Sequence, residues 1–261
     1  TPYSVRSVTD ADTARWAGLS ATKDLRLPDL NPFLPDDFSL VPATGETVPR
    51  KLASNPGLSL WHGQSTIRQE PKAILMTRLQ SGHFASTLEQ TALQGLLLEL
   101  WSQKQAGLRY QAMEAGLGLS VSGDEGIVIS ISGFSQHQTD LLPRVLDFLK
   151  QEITAEDFEQ AKAEQLRALA NMEKQGLFGQ AMGSMRSLLK VPAWDHRVIE
   201  DATKGLTLQD LGDYLRAVRQ DLRFTVFGFG NVRASDLHGL VQTLEPLVGP
   251  EAGIPPAALG L

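Results

Sequence analysis

Leu117-Gly-Leu-Ser-Val-Ser-Gly-Asp-Glu-Gly-Ile-Val-Ile-Ser-Ile-Ser-Gly133 is the stretch whose reading decides the fold. Leu117, Leu119 and Val121 alternate with Gly118 and Ser120, and Ile127, Ile129 and Ile131 alternate with Val128, Ser130 and Ser132. Side chains along a strand point to opposite faces in turn, so this is the pattern of two strands, each with one apolar face. Parity then constrains the connection. A loop over residues 122–126 sets Val121 opposite Ile127 and places both apolar sets on one face, whereas a loop one residue shorter does not. The other face, with Gly118, Ser120, Ser130 and Ser132 around Val128, is small and polar.

Working outward, residues 72–80 are rich in strand formers and bounded by Pro71 and Ser81-Gly82, which predicts a strand, with residues 58–61 as its partner. Ser86-Thr-Leu-Glu89 has capping-box spacing, and Leu88, Ala92, Leu96 and Leu100 recur at helical intervals, predicting a helix over 86–105. A helix over 138–150 follows, with Leu141, Leu142, Val145, Leu146 and Leu149 on one face and Pro143 in the first turn. Another enters from Thr154-Ala-Glu-Asp157, with Phe158, Ala161, Leu169 and Met172 as its buried stripe. Helices are further predicted over 176–190, 207–218 and 237–248, a strand over 224–229, and a short helix capped by Thr9 and running through Trp16. Strand hairpins with clustered helices predict an α+β two-layer domain, with a mainly antiparallel sheet and helices packed on one face.

Composition narrows the chemistry. With 261 residues and 42% hydrophobic content the chain can bury a substantial core. Its 24 basic and 30 acidic residues give a net charge of -6, so no basic surface for nucleic acid is advertised. The absence of cysteine excludes disulfides, thiolate zinc sites, iron–sulfur clusters and cysteine nucleophiles. The longest strongly apolar run, residues 73–76, falls far short of the ~20 residues of a membrane-spanning helix. The reading is a soluble chain of cytoplasm or periplasm with no membrane partner. It opens Thr-Pro-Tyr-Ser without Met or a signal stretch, which suggests an internal piece of a longer protein.

The five histidines, at 62, 83, 137, 196 and 238, include no pair three or four apart, so each reads as a solvated or locally hydrogen-bonded side chain. Gly116-Leu-Gly118 and Gly228-Phe-Gly230 lack the further glycine and Lys-Ser/Thr of a phosphate loop and read as bulges or close-packed strand. The acidic residues at 156, 157, 159 and 164 are interleaved with Lys162 and Arg167, the pattern of a solvated helix face. Trp16, Trp61, Trp101 and Trp194 are dispersed and read as packing residues.

Residues 28–57 carry prolines at 28, 32, 35, 42, 49 and 56, which removes backbone donors and predicts an extended linker lying in a groove of a domain, with 42–49 its more flexible part. Within it, Leu25-Arg-Leu-Pro-Asp-Leu-Asn-Pro-Phe-Leu-Pro-Asp-Asp-Phe38 resembles the stretch between the second and third domains of the insulin-degrading enzyme and pitrilysin (insulinase) family of zinc metallopeptidases. The similarity continues through Leu60-Trp61, Pro71-Lys72-Ala73, Glu114-Ala115-Gly116-Leu117, Val128-Ile-Ser-Ile-Ser-Gly133 and Gly230-Asn231.

The resemblance implies four homologous α+β domains closing around a chamber in which peptides are cut. It divides this chain into the tail of a preceding domain (1–24), an inter-domain linker (25–57) and a middle or third domain (58–261). Zinc is implied in the first domain only, on a His-x-x-Glu-His helix. The corresponding helix here, over 86–105, has no histidine, and Glu89 and Glu99 have no partners at metal-binding spacing. Leu119 stands where the last domain would supply an assisting tyrosine. The resemblance therefore implies a catalytically silent domain with no catalytic, metal or cofactor residue of its own. Its implied partners are the other domains of the polypeptide and a peptide substrate, with Gly118, Ser120, Ser130 and Ser132 as candidate chamber wall and 42–49 as the hinge. A stand-alone peptide- or protein-binding module is the alternative, separated by whether the reading frame extends beyond Thr1 and Leu261.

Overall fold

The computed structural model describes residues 6–19, 29–65, 67, 69–124, 126–174, 176–189 and 193–253. The chain divides into two compact units, Thr1–Pro32 and Phe33–Leu261. In the first, α1 (Asp10–Ala17) begins at a reciprocal capping box: the Thr9 hydroxyl accepts from the Asp12 amide, and the Asp12 carboxylate accepts from the Thr9 amide.

The second unit runs β1 (Arg50–Asn55), β2 (Leu58–Gly63), β3 (Lys72–Gln80), α2 (Leu88–Lys104), α3 (Ala106–Glu114), β4 (Leu117–Asp124), β5 (Gly126–Phe134), α4 (Gln138–Leu146), α5 (Ala155–Met172), α6 (Leu177–Leu189), α7 (His196–Gly205), α8 (Leu208–Gln220), β6 (Arg223–Gly230) and α9 (Ala234–Leu244). The six strands form one sheet in the order β1-β2-β6-β3-β5-β4, antiparallel throughout except where β2 and β6 run parallel. Burial alternates along the strands. On β3, Ala73, Leu75, Thr77 and Leu79 are buried, while Ile74 and Met76 are exposed. Leu58, Leu60, Ile127, Ile129, Ile131, Phe224 and Val226 share the buried side, where they join Leu96, Leu97 and Leu100 of α2 and Leu237, Leu240 and Leu244 of α9 in one core. The α+β class and the one-sided covering by helices follow the sequence reading.

Several local readings are corrected. The hairpin pairs Val121 with Ile129 and Gly123 with Ile127, so the strands run on to Asp124 and Gly126 and the 122–126 loop does not form. The slip is two residues, an even number, which leaves both apolar sets on the face that parity demanded. What tightens the tip is tertiary. Gly126, at φ +132°, has no room for a Cβ against the Leu79 carbonyl, and the Gln94 amide of α2 donates to the Gly126 carbonyl at 2.8 Å.

β2 does not pair with β3; β6, arriving from far along the chain, lies between them. Residues 50–55, read as linker, form the edge strand β1 on β2, an edge where Pro49 and Pro56 are tolerated. The α2 capping box is Thr87 with Gln90, not Ser86 with Glu89. Pro143 sits inside α4, beyond the first turn, and the chain tightens to a 3₁₀ turn at Asp147–Lys150. Met172 is exposed because α5 outruns the core. The sequence reading contains neither α3, which has little apolar periodicity, nor α7, whose strongly amphipathic pattern spans only ten residues.

Within the second unit, residues 33–44 of the proline-rich segment are fastened by side-chain amides, which supply partners that no sheet neighbour provides. Gln136 Oε1 accepts from the amides of Asp36 and Asp37 at 2.8 and 2.9 Å. Asn231 Oδ1 accepts from the Val41 amide at 2.7 Å, while its Nδ2 donates to the carbonyl of Ser39 and the hydroxyl of Ser135. Gln64 accepts from the Thr44 amide at 2.9 Å and donates to the Pro42 carbonyl. Phe33 is buried beneath the Arg144 guanidinium, 5.1 Å from its ring centre, and Phe38 meets Phe134 edge-on at 5.2 Å. Leu34 and Leu40 stay about half exposed. Pro42 and Thr44, in the N-terminal part of the stretch expected as the hinge, carry two of these bonds.

Candidate functional site

Helices cover one face of the sheet, and strand register fixes what the other face presents. Three rows cross it from β2 to β4. The middle row reads Trp61, Phe227, Met76, Ser130, Ser120. Towards the ends of β5 and β6 the next row reads Gly63, Phe229, Ile74, Ser132, Gly118. On the other side the row is Ser59, Thr225, Arg78, Val128, Ser122. The four residues singled out from sequence are therefore brought together as two directly opposed pairs, Gly118 with Ser132 and Ser120 with Ser130, on neighbouring strands.

They make up nearly half of the middle row and the row with Ile74. The rest of those two rows is mostly apolar: Ile74 and Met76 are 42% and 41% exposed, beside the half-buried rings of Trp61, Phe227 and Phe229. Phe227 and Phe229, two apart on β6, lie 5.9 Å centre to centre, and the Lys51 ammonium stands 5.5 Å from the Trp61 ring. Sequence reasoning missed this half because β6 had not been placed beside β3. The signal was present in 73–76, an unbroken apolar run that gives β3 two apolar faces, and in the alternate aromatics 227 and 229. Where Ile74, Phe229 and Gly133 end, the fastened segment rises over the sheet, and with Val41 and Ala43 they line a cleft of about 310 Å³.

Small residues on this face have packing reasons. A Cβ on Gly118 would lie 2.9 Å from the Ser132 hydroxyl. On the covered face a Cβ at Gly228 would lie 2.5 Å from Leu237, so the second Gly-x-Gly stretch is a close strand–helix approach, as the sequence suggested.

The chemistry-bearing groups lie elsewhere and apart. His62 is buried with Nε2 2.9 Å from the Val232 carbonyl, His137 pairs with Asp140 at 2.9 Å, and His196 lies near Glu173 and Asp195. Glu99 accepts from Gln103 one turn along α2. Among the described residues no three His, Asp or Glu side chains converge as a metal site. Leu119 lies against the core on the covered side. Two shifted carboxylates of the second unit close helix caps: Asp157 is pulled down to about 2 by the Lys104 ammonium and by the amide and hydroxyl of Thr154, and Asp210 is lowered by the Thr207 hydroxyl and amide; a third, Asp37, is lowered by Ser39 in the extended segment.

A six-stranded mixed sheet with helices on one face and an open, half-apolar other face defines an α+β domain that presents a sheet surface and no reactive cluster among its described residues. Comparison with known proteins supplies the family. The family model described as the middle or third domain of peptidase_M16 matches residues 1–202. Insulin-degrading enzyme of Drosophila melanogaster is 28% identical over 250 residues, covering 93% of this chain and 25% of that protein. Protease 3 of Escherichia coli K12 is 24% identical, covering 95% of this chain and 26% of its own length. The crystal structure of pitrilysin superposes with a TM-score of 0.79 at 23% identity, covering 94% of this chain and 27% of that one, which establishes the shared fold. The chain belongs to the peptidase M16 family of insulinase- and pitrilysin-like metallopeptidases, in which it is the middle or third domain. It spans about a quarter of the length of the relatives it matches. Among the described residues no helix is long and apolar enough to cross a membrane.

Proposed function

We propose that this chain is a non-catalytic domain of a zinc-dependent peptidase, and that its open sheet face forms part of the wall enclosing peptide substrates while another domain cuts them. The observation that carries the reading is the open face itself. Five strands present three side-chain rows to the outside: two are graded from largely aromatic and aliphatic at β2, β6 and β3 to small and polar at β5 and β4, and the third is polar apart from Val128. Apolar groups collect binding energy from a peptide's side chains, while Gly118, Ser120, Ser130 and Ser132 let its backbone pass close to the sheet. The segment 33–44, fastened across the strand ends, gives this wall a fixed rim. Such a wall contributes by positioning, since binding made away from the reacting bond orients the substrate.

The test uses the intact polypeptide that carries this chain. Ser120→Trp and Ser130→Phe crowd the small half and are expected to change the ratio of kcat/KM between long and short peptides by tenfold or more, at unchanged zinc content. Met76→Asp breaks the apolar half and is expected to raise KM for long peptides with kcat unchanged, the signature of lost ground-state binding. Unaltered kinetics in all three variants would remove this face from the substrate's path.

A further inference from the structure

Helix α6 carries a surface that the wall does not use. Its large apolar side chains, where described, are all exposed: Phe178 by 80%, Met182 by 45%, Met185 by 46% and Leu189 by 76%. Their positions, i, i+4, i+7 and i+11, make one stripe along the helix, the arrangement of a face that expects a partner. Met172, Trp194 and Val198, on the flanking segments, are exposed as well.

The topology says at which end of the domain this stripe lies. The sheet has one end where Lys72 meets Phe134 and Ala73 meets Gly230, and an opposite end where Leu79 meets Ile127 and Gln80 meets Arg223. The proline-rich segment is fastened at the first end, on Gln136 and Asn231. Helix α2 starts at the second end, where Gln94 bonds the Gly126 carbonyl. Helix α5 runs antiparallel to it, because Lys104 meets Asp157 and Gln165 donates to the Ala92 carbonyl. So α5 finishes at the second end. Helix α7 begins there too, since Glu173 accepts from Arg197 at 2.8 Å, and α6 leaves and returns at that end. The chain after α9 arrives at the same place: the Glu251 amide donates to the Gln220 carbonyl, and Arg223 Nε donates to the Ala252 carbonyl.

We infer that the exposed stripe of α6 is the seat of the domain that follows this one in the same polypeptide. The inference rests on the reading above that the chain is one domain of a longer peptidase, and on relatives that are about four times its length. A following domain starts from the end where residues 251–253 lie, the end at which α6 also leaves and returns, so its covalent tether raises its effective concentration near the stripe. Two methionines among the four anchors suit a seat that must conform to another domain's surface.

Limited peroxide treatment of the intact polypeptide, with free methionine as the standard in the same tube, tests this. Met182 and Met185 are expected to oxidise at least tenfold more slowly than free methionine. Phe178→Asp with Leu189→Asp is expected to bring them within twofold of it, with a matching rise in hydrogen exchange in one segment of the following domain. Oxidation at the free rate in the unsubstituted polypeptide overturns the inference, and so does protection that disappears when a dimer is diluted to monomer, which would make a second copy the occupant. Chelator-sensitive peptide cleavage by the same preparation keeps the two readings apart. If cleavage is present and the methionines are unprotected, only the docking fails; if cleavage is absent, the peptidase reading fails.

Discussion

Asn231 does at one position what a neighbouring strand does elsewhere: its amide accepts from the Val41 N–H and donates to the Ser39 carbonyl and the Ser135 hydroxyl. Asn231→Ala leaves those groups to water and is expected to lower the local stability of residues 39–44 by about 1–3 kcal/mol. The measurement is limited proteolysis, with cleavage in that stretch about fivefold faster or more. Asn231→Asp keeps the acceptor and loses the donor, so it should fall between the two. Ile129 is buried on β5 beneath α2, and Ile129→Ala is expected to cost about 2–5 kcal/mol, read as a lower denaturation midpoint. Tyr214 behaves oppositely. Its hydroxyl is buried and has no hydrogen-bond partner among the described residues, and burial pushes its ionisation up, so it is neutral at any working pH. Tyr214→Phe is expected to leave stability unchanged or raise it; a loss above about 1 kcal/mol would show that the hydroxyl is satisfied.

At the scale of elements, the start of α5 joins local and distant bonding in one carboxylate. Asp157 closes the capping box with Thr154 and also receives the Lys104 ammonium from the end of α2 at 2.8 Å. Its folded pKa is depressed, from 3.8 to about 2, so its stabilising contribution is complete above the unfolded value and drains away as pH falls from about 4 toward 2. Asp157→Asn is expected to lower the melting temperature at pH 6 and to flatten its fall between pH 4 and 2, measured by thermal unfolding across a pH series. The reciprocal box itself was legible in the sequence, down to Asp in place of the usual Glu, because a cap depends on four consecutive residues. Lys104 as its third partner was not legible, since it lies on another helix. The hairpin divides in the same way: local alternation fixed which side chains share a face, and Gln94 and Leu79, from other elements, set where the strands turn.

Across the whole molecule the two ends differ. One fastens the proline-rich segment, and the other carries α6 and the chain after α9. In the intact polypeptide, Gln136→Ala with Asn231→Ala should unfasten the rim and raise KM for long peptides more than for short ones, while zinc content stays constant. Equal kinetics for both lengths would separate the rim from substrate enclosure. The open face was half legible on the same grounds as the hairpin. Gly118, Ser120, Ser130 and Ser132 lie on strands joined by one short turn, so parity sufficed to group them. Trp61, Phe227, Phe229, Ile74 and Met76 come from three strands separated by most of the chain, and only their pairing makes them one surface.

The sequence by itself determined what depends on neighbours along the chain: the amphipathic helices and most of their caps, the two faces of the hairpin, the missing histidines of α2, and the motifs that resemble one family. The tertiary structure alone decided the position of β6 between β2 and β3, the turn at Gly126, the fastening of residues 33–44, and the end of the domain at which α6 exposes its stripe. The physical reason is range. Helical periodicity, capping and strand alternation act over a few residues and leave a signature there, whereas sheet order and burial come from the competition of distant segments for one core, which no short window of sequence contains.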